Sequence, residues 1–302
     1  MKPIIQCRDL SKRFGSKTVL QQLSFELEPG DVAALIGPNG AGKTTLFSIL
    51  CGYLRPDSGS VSLFGHPAGS SALFGKVAAL AQDAQFDPAF SIGEQLNFYG
   101  RLQGLSRKAA HEETLRVLAL VDLADQVQQK AAALSHGMRK RAAIAQAFIG
   151  SPQLILLDEP TAGLDPVNAL HIRQLISHLS GDVSFMISSH NIFELEQLCN
   201  KVLYLEQGKL QAEAAGDTDK QQCYLTLQLE DDNAGAVTQA LRQLPGLTDI
   251  RLLQKKELLL CYEPQQNANF DLALLQCLAA NGLRYRNLTK GQTLEQKLFS
   301  AR

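Results

Sequence analysis

The stretch that decides the fold is Gly37-Pro38-Asn39-Gly40-Ala41-Gly42-Lys43-Thr44. It fits the pattern G-x-x-x-x-G-K-[ST], in which glycines let backbone N–H groups surround a phosphate without a clash from a Cβ atom. The apolar run at 31–36 before it predicts a buried strand, and 45–50 after it has helical character. Lys43 supplies a charge for the β- and γ-phosphates, and Thr44 offers a hydroxyl to Mg²⁺. The stretch therefore predicts a phosphate-binding loop between a strand and a helix.

Two adjacent acids, Asp158 and Glu159, end the apolar run at 154–157. A strand end that emerges into solvent is one interpretation of such a pair, since buried carboxylates are costly to desolvate. Beside a phosphate-binding loop the two acids have a chemical use. We expect Asp158 to hold Mg²⁺, directly or through water, and Glu159 to polarise the attacking water.

The pattern along the first two thirds of the chain predicts an α/β fold. Apolar runs indicate further strands at 4–10, 23–27, 153–157, 183–187 and 201–206. Helical segments separate the later strands, which implies a largely parallel sheet covered on both faces. Helical spacing over 91–130 and one more helix at 137–149 predict a small helical subdomain at about 91–150.

The last third of the chain predicts a separate small domain. The composition becomes polar over 211–221, which indicates a linker between a first domain at 1–215 and a second at 216–302. In the second, strand, helix, strand, strand and helix are predicted in turn at 224–229, 234–244, 248–253, 257–262 and 272–280. The order β-α-β-β-α-β indicates a small α+β, ferredoxin-like accessory domain.

Composition restricts the classes of partner. The 302 residues are 45% hydrophobic and 20% charged, with a formal net charge of −1, so no global field draws the chain to nucleic acid, and none is expected as a partner. The basic run 139–141 is either a nucleic-acid patch or, as we expect, a solvated helix face. The six cysteines form no C-x-x-C pair, so no zinc site is expected. The longest apolar stretch, 142–157, is shorter than the about 20 residues of a membrane helix, so a membrane role needs a partner.

A third motif, Leu134-Ser135-His136-Gly137-Met138, precedes the paired acids. It resembles the signature motif of ABC ATPases, usually LSGGQ. Ser135 and Gly137 match that motif, whereas His136 and Met138 depart from its commonest form. In the family the matching serine and glycine touch ATP, while Met138 lacks the hydrogen bonds of a glutamine. The departures bear on the rate of hydrolysis rather than on the binding mode.

Other elements of the ABC family occur in the family's order. Gln82 resembles the Q-loop glutamine, 163–165 resembles the D-loop, and His190 resembles the switch histidine. Phe14 stands where the family places an aromatic residue that stacks on adenine, although ordinary packing is the alternative for this residue. The resemblance covers roughly residues 4–215.

The resemblance implies a P-loop NTPase with a RecA-like core and a helical subdomain, which binds and hydrolyses ATP with Mg²⁺. It implies catalytic roles for Glu159, His190 and Gln82, and it implies that Thr44, Gln82 and Asp158 hold the metal. It also implies a nucleotide-binding set made of Phe14, Gly37, Pro38, Asn39, Gly40, Ala41, Gly42, Lys43, Thr44, Thr45, Ser135, Gly137 and Asp165.

The family fold also implies partners. It implies a head-to-tail homodimer in which Lys43 of one chain and Ser135 of the other hold each ATP. It implies separate integral-membrane permease chains, which would place the protein on the cytoplasmic face of the inner membrane. The tail at 291–299 is similar to the ending of ATPases paired with exporter-type permeases, so export is the expected direction.

The alternative is a soluble ABC-type ATPase that acts on ribosomes or nucleic acid. Proteins of that kind normally carry two ATPase domains in one chain or a long coiled coil. This chain has one set of motifs and no sustained heptads, which favours the transporter subunit. The transported substrate is chosen by the membrane chains and is not encoded in these motifs.

Overall fold

The computed structural model describes residues 2–190, 195, 198–215, 223–267 and 269–290. The chain divides into two compact units, Met1–Ala214 and Ala215–Arg302. The tail at 291–299, on which the expectation of export draws, lies outside the described residues.

A six-stranded sheet forms the centre of the first unit, with the order β10-β9-β3-β8-β7-β6. Its strands are β3 Val32–Ile36, β6 Val77–Leu80, β7 Leu154–Asp158, β8 Ser184–Ser189, β9 Lys201–Glu206 and β10 Lys209–Ala215. Five neighbouring strands of this sheet, in the order β9-β3-β8-β7-β6, pair in parallel. Every residue of β3, β7 and β8 is buried, as expected where helices cover both faces of a parallel sheet. The predicted strands at 31–36, 153–157, 183–187 and 201–206 are therefore confirmed.

Two helices connect the strands that carry the motifs. Helix α1, Lys43–Leu50, follows β3 through the glycine-rich loop. Helix α5, Pro166–Leu179, lies between β7 and β8, with Asp165 as its N-cap and a proline at its first position. A proline is tolerated there because the first N–H of a helix has no intrahelical partner.

A second, antiparallel sheet has the order β2-β1-β4-β5. Its strands are β1 Ile5–Phe14, β2 Lys17–Leu27, β4 Ser58–Leu63 and β5 His66–Pro67. The prediction of short strands at 4–10 and 23–27 was wrong in extent. The strands continue through polar residues because one face of this hairpin is exposed, and an exposed face needs no apolar side chains.

The predicted helical subdomain consists of α2 Ile92–Leu102, α3 Arg107–Leu120 and α4 His136–Ala147. Each helix begins after a serine whose Oγ accepts a backbone N–H of the first turn: Ser91, Ser106 and Ser135. Ser91 and Glu94 form a complete capping box. Helix α2 packs on α3, and α4 contacts both.

The predicted linker at 211–221 was wrong for its first part. Residues 209–215 form β10, an edge strand beside β9, and Leu210 packs against the hydrophobic core of the first unit. Polar and apolar residues are mixed in this strand, as is typical of an edge strand with one side facing away from the core. Residues 216–222 lie outside the described part of the chain.

The second unit has the element order β-α-β-β-α-β. Its elements are β11 Cys223–Leu229, α6 Ala234–Leu241, β12 Leu247–Gln254, β13 Glu257–Tyr262, α7 Phe270–Ala280 and β14 Tyr285–Lys290. The sheet order is β12-β13-β11-β14, and every pairing is antiparallel. Leucines from β11 and β13 form one core with α6 and α7. This is the element order of the ferredoxin-like fold.

Among the described residues, no helix is both long and apolar enough to cross a membrane. Helix α1 instead places Leu46, Phe47, Ile49 and Leu50 in the hydrophobic core of the first unit.

Candidate functional site

The glycine-rich loop lies at the carboxyl end of β3 and leads directly into α1. Gly42 has φ 112°, and a Cβ atom there would lie 2.6 Å from Leu20 Cδ2 and 3.0 Å from the carbonyl oxygen of Val19. A Cβ atom on Gly37 would overlap the carbonyl oxygen of Leu205. Strands β2 and β9 therefore press on the loop, and only glycine satisfies these two positions.

The other predicted loop residues surround this bend. Pro38, Asn39 and Gly40 are exposed, whereas Ala41 is buried. In the first turn of α1, Thr44 is exposed and Thr45 is partly buried. The loop thus presents its middle residues outward, where a ligand can reach their backbone.

Lys43 is buried at the start of α1, with 7% of its surface exposed. Its ammonium donates a hydrogen bond to the carbonyl oxygen of Gly37 at 2.7 Å. Its Nζ also lies 3.5 Å from Oε1 of Glu159. A buried ammonium is costly without such partners. The structure therefore brings the predicted phosphate-binding lysine and the predicted catalytic acid into one ion pair.

Asp158 is buried at the end of β7 and accepts two hydrogen bonds. Thr44 Oγ1 donates to its Oδ2 at 2.9 Å. Ser188 Oγ donates to its Oδ1. Ser188 lies directly opposite Asp158 in the parallel ladder of β7 and β8. The pairing places a hydroxyl and a carboxylate side by side at the carboxyl edge of the sheet, and these are oxygen donors of the kind that Mg²⁺ prefers.

Glu159 follows Asp158 with φ 49°, in the left-handed region that side chains with a Cβ atom rarely adopt. Its backbone N–H donates to Ser188 Oγ at 2.9 Å. Its Oε2 lies 2.9 Å from Nδ1 of His190, while Oε1 faces Lys43. Glu159 therefore bridges Lys43 and His190, and the strained turn aims its carboxylate across the end of the sheet.

The signature and D-loop residues meet elsewhere in the same unit. Ser135 caps α4 by accepting the N–H of Met138 at 3.2 Å. Gly137 lies against Asn168, since a Cβ on Gly137 would be 2.8 Å from Asn168 Nδ2. Asp165 caps α5 and also accepts a hydrogen bond from Asn168 Nδ2 at 2.6 Å. These hydrogen bonds from Asn168 hold the pKa of Asp165 below its usual value.

Gln82 lies just after β6, in a cavity of about 570 Å³. The same cavity is lined by His136, Lys140 and Gly163, so it gathers residues of the Q-loop, the signature helix and the D-loop. Lys140 donates to the backbone carbonyl of Gln82 at 3.0 Å. Burial lowers the pKa of Lys140. The geometry thus joins Lys43, Thr44, Asp158, Glu159 and His190 in one group of contacts, whereas Gln82 belongs to a second group around this cavity.

Phe14 lies at the end of β1 and is 51% exposed. Its ring has Lys12 Nζ at 5.7 Å from the centroid. An exposed aromatic ring at a hairpin tip does not pack in the core, which argues against ordinary packing as its role.

Sequence reasoning missed two residues of these groups. Ser188 bonds both acids, and Lys140 ties α4 to the Q-loop. The position of Ser188 two residues before His190, at the end of an apolar run, was a usable signal. Lys140 belongs to the basic run 139–141, and the expectation of a solvated helix face was wrong for it, because its ammonium bonds to Gln82 in a partly buried position. No local pattern marked that contact, which joins residues 58 positions apart.

The fold and the geometry around Lys43 define a P-loop nucleotide-binding protein, and comparison with known proteins gives its family. The family described as "ABC transporter" matches residues 20–162. Nod factor export ATP-binding protein I of Burkholderia lata is 39% identical over 215 residues, which cover 70% of this chain and 70% of that protein. The uncharacterized ABC transporter ATP-binding protein YdbJ of Bacillus subtilis is 34% identical over 218 residues, 71% of this chain and 70% of that protein. The chain belongs to the ABC transporter ATP-binding proteins.

Solved structures agree with this assignment. An ATP-binding cassette of an ABC transporter, solved in its ADP conformation, superposes with a TM-score of 0.64 at 25% identity, over 72% of this chain and 92% of that one. For cbiO1 of Clostridium perfringens, part of the ABC transporter complex cbiONQ, the TM-score is 0.65 at 22% identity, over 81% of this chain and 96% of that one. The second similarity shows the fold alone. As a member of this family the chain binds ATP and is an ATP hydrolase.

Replacing His190 by alanine is expected to lower kcat about tenfold, the effect of losing one charge-assisted hydrogen bond. The reason is its contact with Glu159, since without the imidazole the carboxylate loses one of the two groups that orient it. Steady-state phosphate release and calorimetric ATP affinity should separate the two effects, with affinity retained. His178→Ala, an exposed histidine in the last turn of α5, is the matched control. Turnover at the wild-type rate in His190→Ala would show that His190 does not contribute to hydrolysis.

Proposed function

We propose that the residues around Lys43 bind Mg-ATP and that Glu159 activates the water that attacks its γ-phosphate. The observation that carries this proposal is the chain of contacts from Lys43 through Glu159 to His190. A lysine, a carboxylate and an imidazole in contact at the carboxyl edge of a parallel sheet give a cation for the phosphates beside a base for the water.

Lys43 has a second part in this proposal. Its ammonium pairs with Glu159 in this structure, at 3.5 Å. A triphosphate in the loop offers Lys43 a partner with more negative charge, and charge-assisted contacts to phosphate are strong. Transfer of Lys43 from Glu159 to the phosphates would leave the carboxylate free to accept a proton from water. Binding of ATP would thus free Glu159 to act as the general base.

Thr44 and Asp158 are the residues that would hold Mg²⁺, with Gln82 as a further ligand from the Q-loop. The hydroxyl and the carboxylate are already adjacent, at 2.9 Å, and both offer oxygen. The metal would neutralise phosphate charge when bound. This chain's own contribution is to fix Asp158 through the hydroxyl of Ser188.

Two copies of the chain would complete the site. Ser135 and its helix lie in the helical subdomain, and Ser135 is exposed. Its hydroxyl caps α4, and its exposed surface can contact another molecule. A head-to-tail dimer with two-fold symmetry would set Ser135 and Gly137 of one copy over the loop of the other. Closure on ATP and reopening after hydrolysis would then be the two states of the cycle.

The dimer would drive separate membrane permease chains from the cytoplasmic face of the membrane, in the direction of export. The names of the relatives support this proposal, since they include Nod factor export ATP-binding proteins at 37–39% identity. Pull-down of the full chain from its own cells is expected to recover a multi-span membrane protein. Recovery of ribosomes in its place would favour the alternative of a non-transport ABC ATPase.

A chain truncated after Ala215 is expected to keep its ATP affinity within a factor of about two, because every residue of the proposed site precedes that point. The cut must follow β10, which belongs to the central sheet. A chain ending at Gln207 is the matched control and should unfold at a lower temperature, since it loses that strand and Leu210. Loss of all ATP binding in a truncated chain that keeps its circular dichroism would contradict the proposed boundary.

A further inference from the structure

The hairpin that carries Phe14 departs from regular strand pairing just before that residue. Pairing of β1 with β4 ends at Ser11, opposite Ser58. Pairing of β1 with β2 shifts register on both sides of Lys12. Such irregularities bend a strand and redirect the side chains that follow. The direction of Phe14 is therefore not fixed by the ladder alone.

Hydrogen bonds of Asp57 hold β1 where its pairing with β4 has ended. Its backbone N–H donates to the carbonyl oxygen of Ser11 at 2.9 Å. Its Oδ1 accepts from Lys12 Nζ at 2.9 Å, and its Oδ2 accepts from the backbone N–H of Arg13 at 2.7 Å. The bonds from Lys12 and Arg13 hold the pKa of Asp57 below its usual value, so the carboxylate stays ionised. We call these contacts to Ser11, Lys12 and Arg13 the Asp57 clamp.

Lys12 connects the clamp to the aromatic ring. Only 12% of its side-chain surface is exposed, and its ammonium also donates to the carbonyl oxygen of Arg55 at 2.8 Å. That ammonium lies 5.7 Å from the centroid of the Phe14 ring. A cation at this distance over an aromatic face is attracted by the ring's electron density. The half-exposed ring keeps surface free for a second planar group.

The ring lies close to the phosphate-binding loop. Val19 of β2 presses on Gly42, as the position of a Cβ there shows. Phe14 pairs with Lys17, two residues before Val19 on the same strand. At about 3.4 Å per residue this places the pair about 7 Å beyond the loop. A nucleotide whose phosphates fill the loop can reach that far with its base.

We propose that the Asp57 clamp and Lys12 fix the position of the Phe14 ring and so set the contribution of the nucleotide base to the affinity of the site. This inference rests on the proposed function, in which the loop holds the phosphates. Lys12 and Asp57 act here as positioning residues, because they contact the hairpin and the ring rather than the reacting atoms. The clamp joins residues 45 positions apart and gives the ring one orientation before the base arrives.

The test compares two ligands by calorimetry in Mg²⁺: ATP, and inorganic triphosphate, which has no base. Lys12→Met and Asp57→Asn are each expected to weaken ATP binding about two- to fivefold, the size of one exposed cation–π contact. Binding of triphosphate should be unchanged, which also shows that the variants are folded. Lys12→Arg keeps the cation and should retain most of the ATP affinity. Lys108→Met, at an exposed lysine that pairs with Glu112 on the surface of α3, is the matched control.

A double-mutant cycle distinguishes positioning from a general loss of structure. Phe14→Ala alone is expected to weaken ATP binding about tenfold, since stacking of a base on an aromatic ring is of that order. In the Phe14→Ala background Lys12→Met should have no further effect. Equal losses for ATP and triphosphate, or an undiminished effect of Lys12→Met without the ring, would overturn the inference. Lys43→Ala should weaken both ligands; if it weakens neither, the phosphate-binding loop itself is wrong, which is a separate failure.

Discussion

Lys43→Ala is expected to weaken binding of Mg-ATP by about tenfold to a hundredfold. The substitution removes charge-assisted contacts to the phosphates, which are worth about 1.5–3 kcal/mol. It also removes the cation beside Glu159, which leaves that buried carboxylate without one of its two partners. Isothermal calorimetry with Mg-ATP measures the first effect directly.

Two controls make the Lys43 experiment specific. Lys108→Ala removes a charge of the same kind from an exposed helix position and should leave the affinity unchanged. Thermal unfolding without nucleotide reports the second effect, which is the loss of stability caused by the Glu159 carboxylate without its cation. Unchanged Mg-ATP affinity in a folded Lys43→Ala protein would exclude the loop as the phosphate site.

Glu159→Gln is expected to lower kcat by about a hundredfold or more, because general-base catalysis contributes about 10²–10⁴ to the rate. The amide has the shape of the carboxylate but does not accept a proton from water at neutral pH. It can still hydrogen bond to His190, so the local structure should persist. The measurements are phosphate release at saturating Mg-ATP and calorimetric affinity, which should remain within a few-fold of wild type.

Glu112→Gln, an exposed acid on α3, controls for the loss of one negative charge. Phosphate release at a normal rate in Glu159→Gln would assign the base to another residue. If Glu159→Gln loses both ATP binding and turnover, Glu159 contributes to nucleotide binding through Lys43. The assignment of Glu159 as the general base would then fail.

The parts of the site that local chemistry dictates could be predicted from the sequence. A loop that surrounds a phosphate needs glycines at fixed positions and one lysine, and these are contiguous in the chain. The paired acids stand directly after an apolar run, and the structure places Glu159 3.5 Å from Lys43. Buried parallel strands such as β3 and β7 are apolar throughout, so their pattern is also local.

The parts that depend on distant pairing could not be predicted. Strand β4 is mostly polar, and β6 has only four residues; each is a strand because it pairs, β4 with β1 and β6 with β7. Strand β10 reads as a linker for the same reason. In the candidate site, Ser188 bonds to Asp158 because the β7–β8 register sets the two residues opposite each other.

The surroundings of Phe14 were predictable only in part. The family resemblance pointed to the aromatic residue, but nothing in the sequence joined it to Asp57. That contact forms between the end of β1 and the turn before β4, where the ladder is irregular. Irregular backbone carries no periodic signal, so only the three-dimensional structure reveals it.

The central claim is that two copies of the chain close over ATP and that hydrolysis at Glu159 reopens them. Light scattering of Glu159→Gln in Mg-ATP tests this most directly. The control is Lys43→Ala/Glu159→Gln, whose lower affinity leaves it mostly free of nucleotide at a Mg-ATP concentration that just saturates Glu159→Gln. Glu159→Gln is expected to be a dimer in Mg-ATP and a monomer without nucleotide, and the control is expected to be a monomer under both conditions. A Glu159→Gln protein that binds Mg-ATP fully and stays monomeric at high protein concentration would contradict closure of the isolated subunit on ATP.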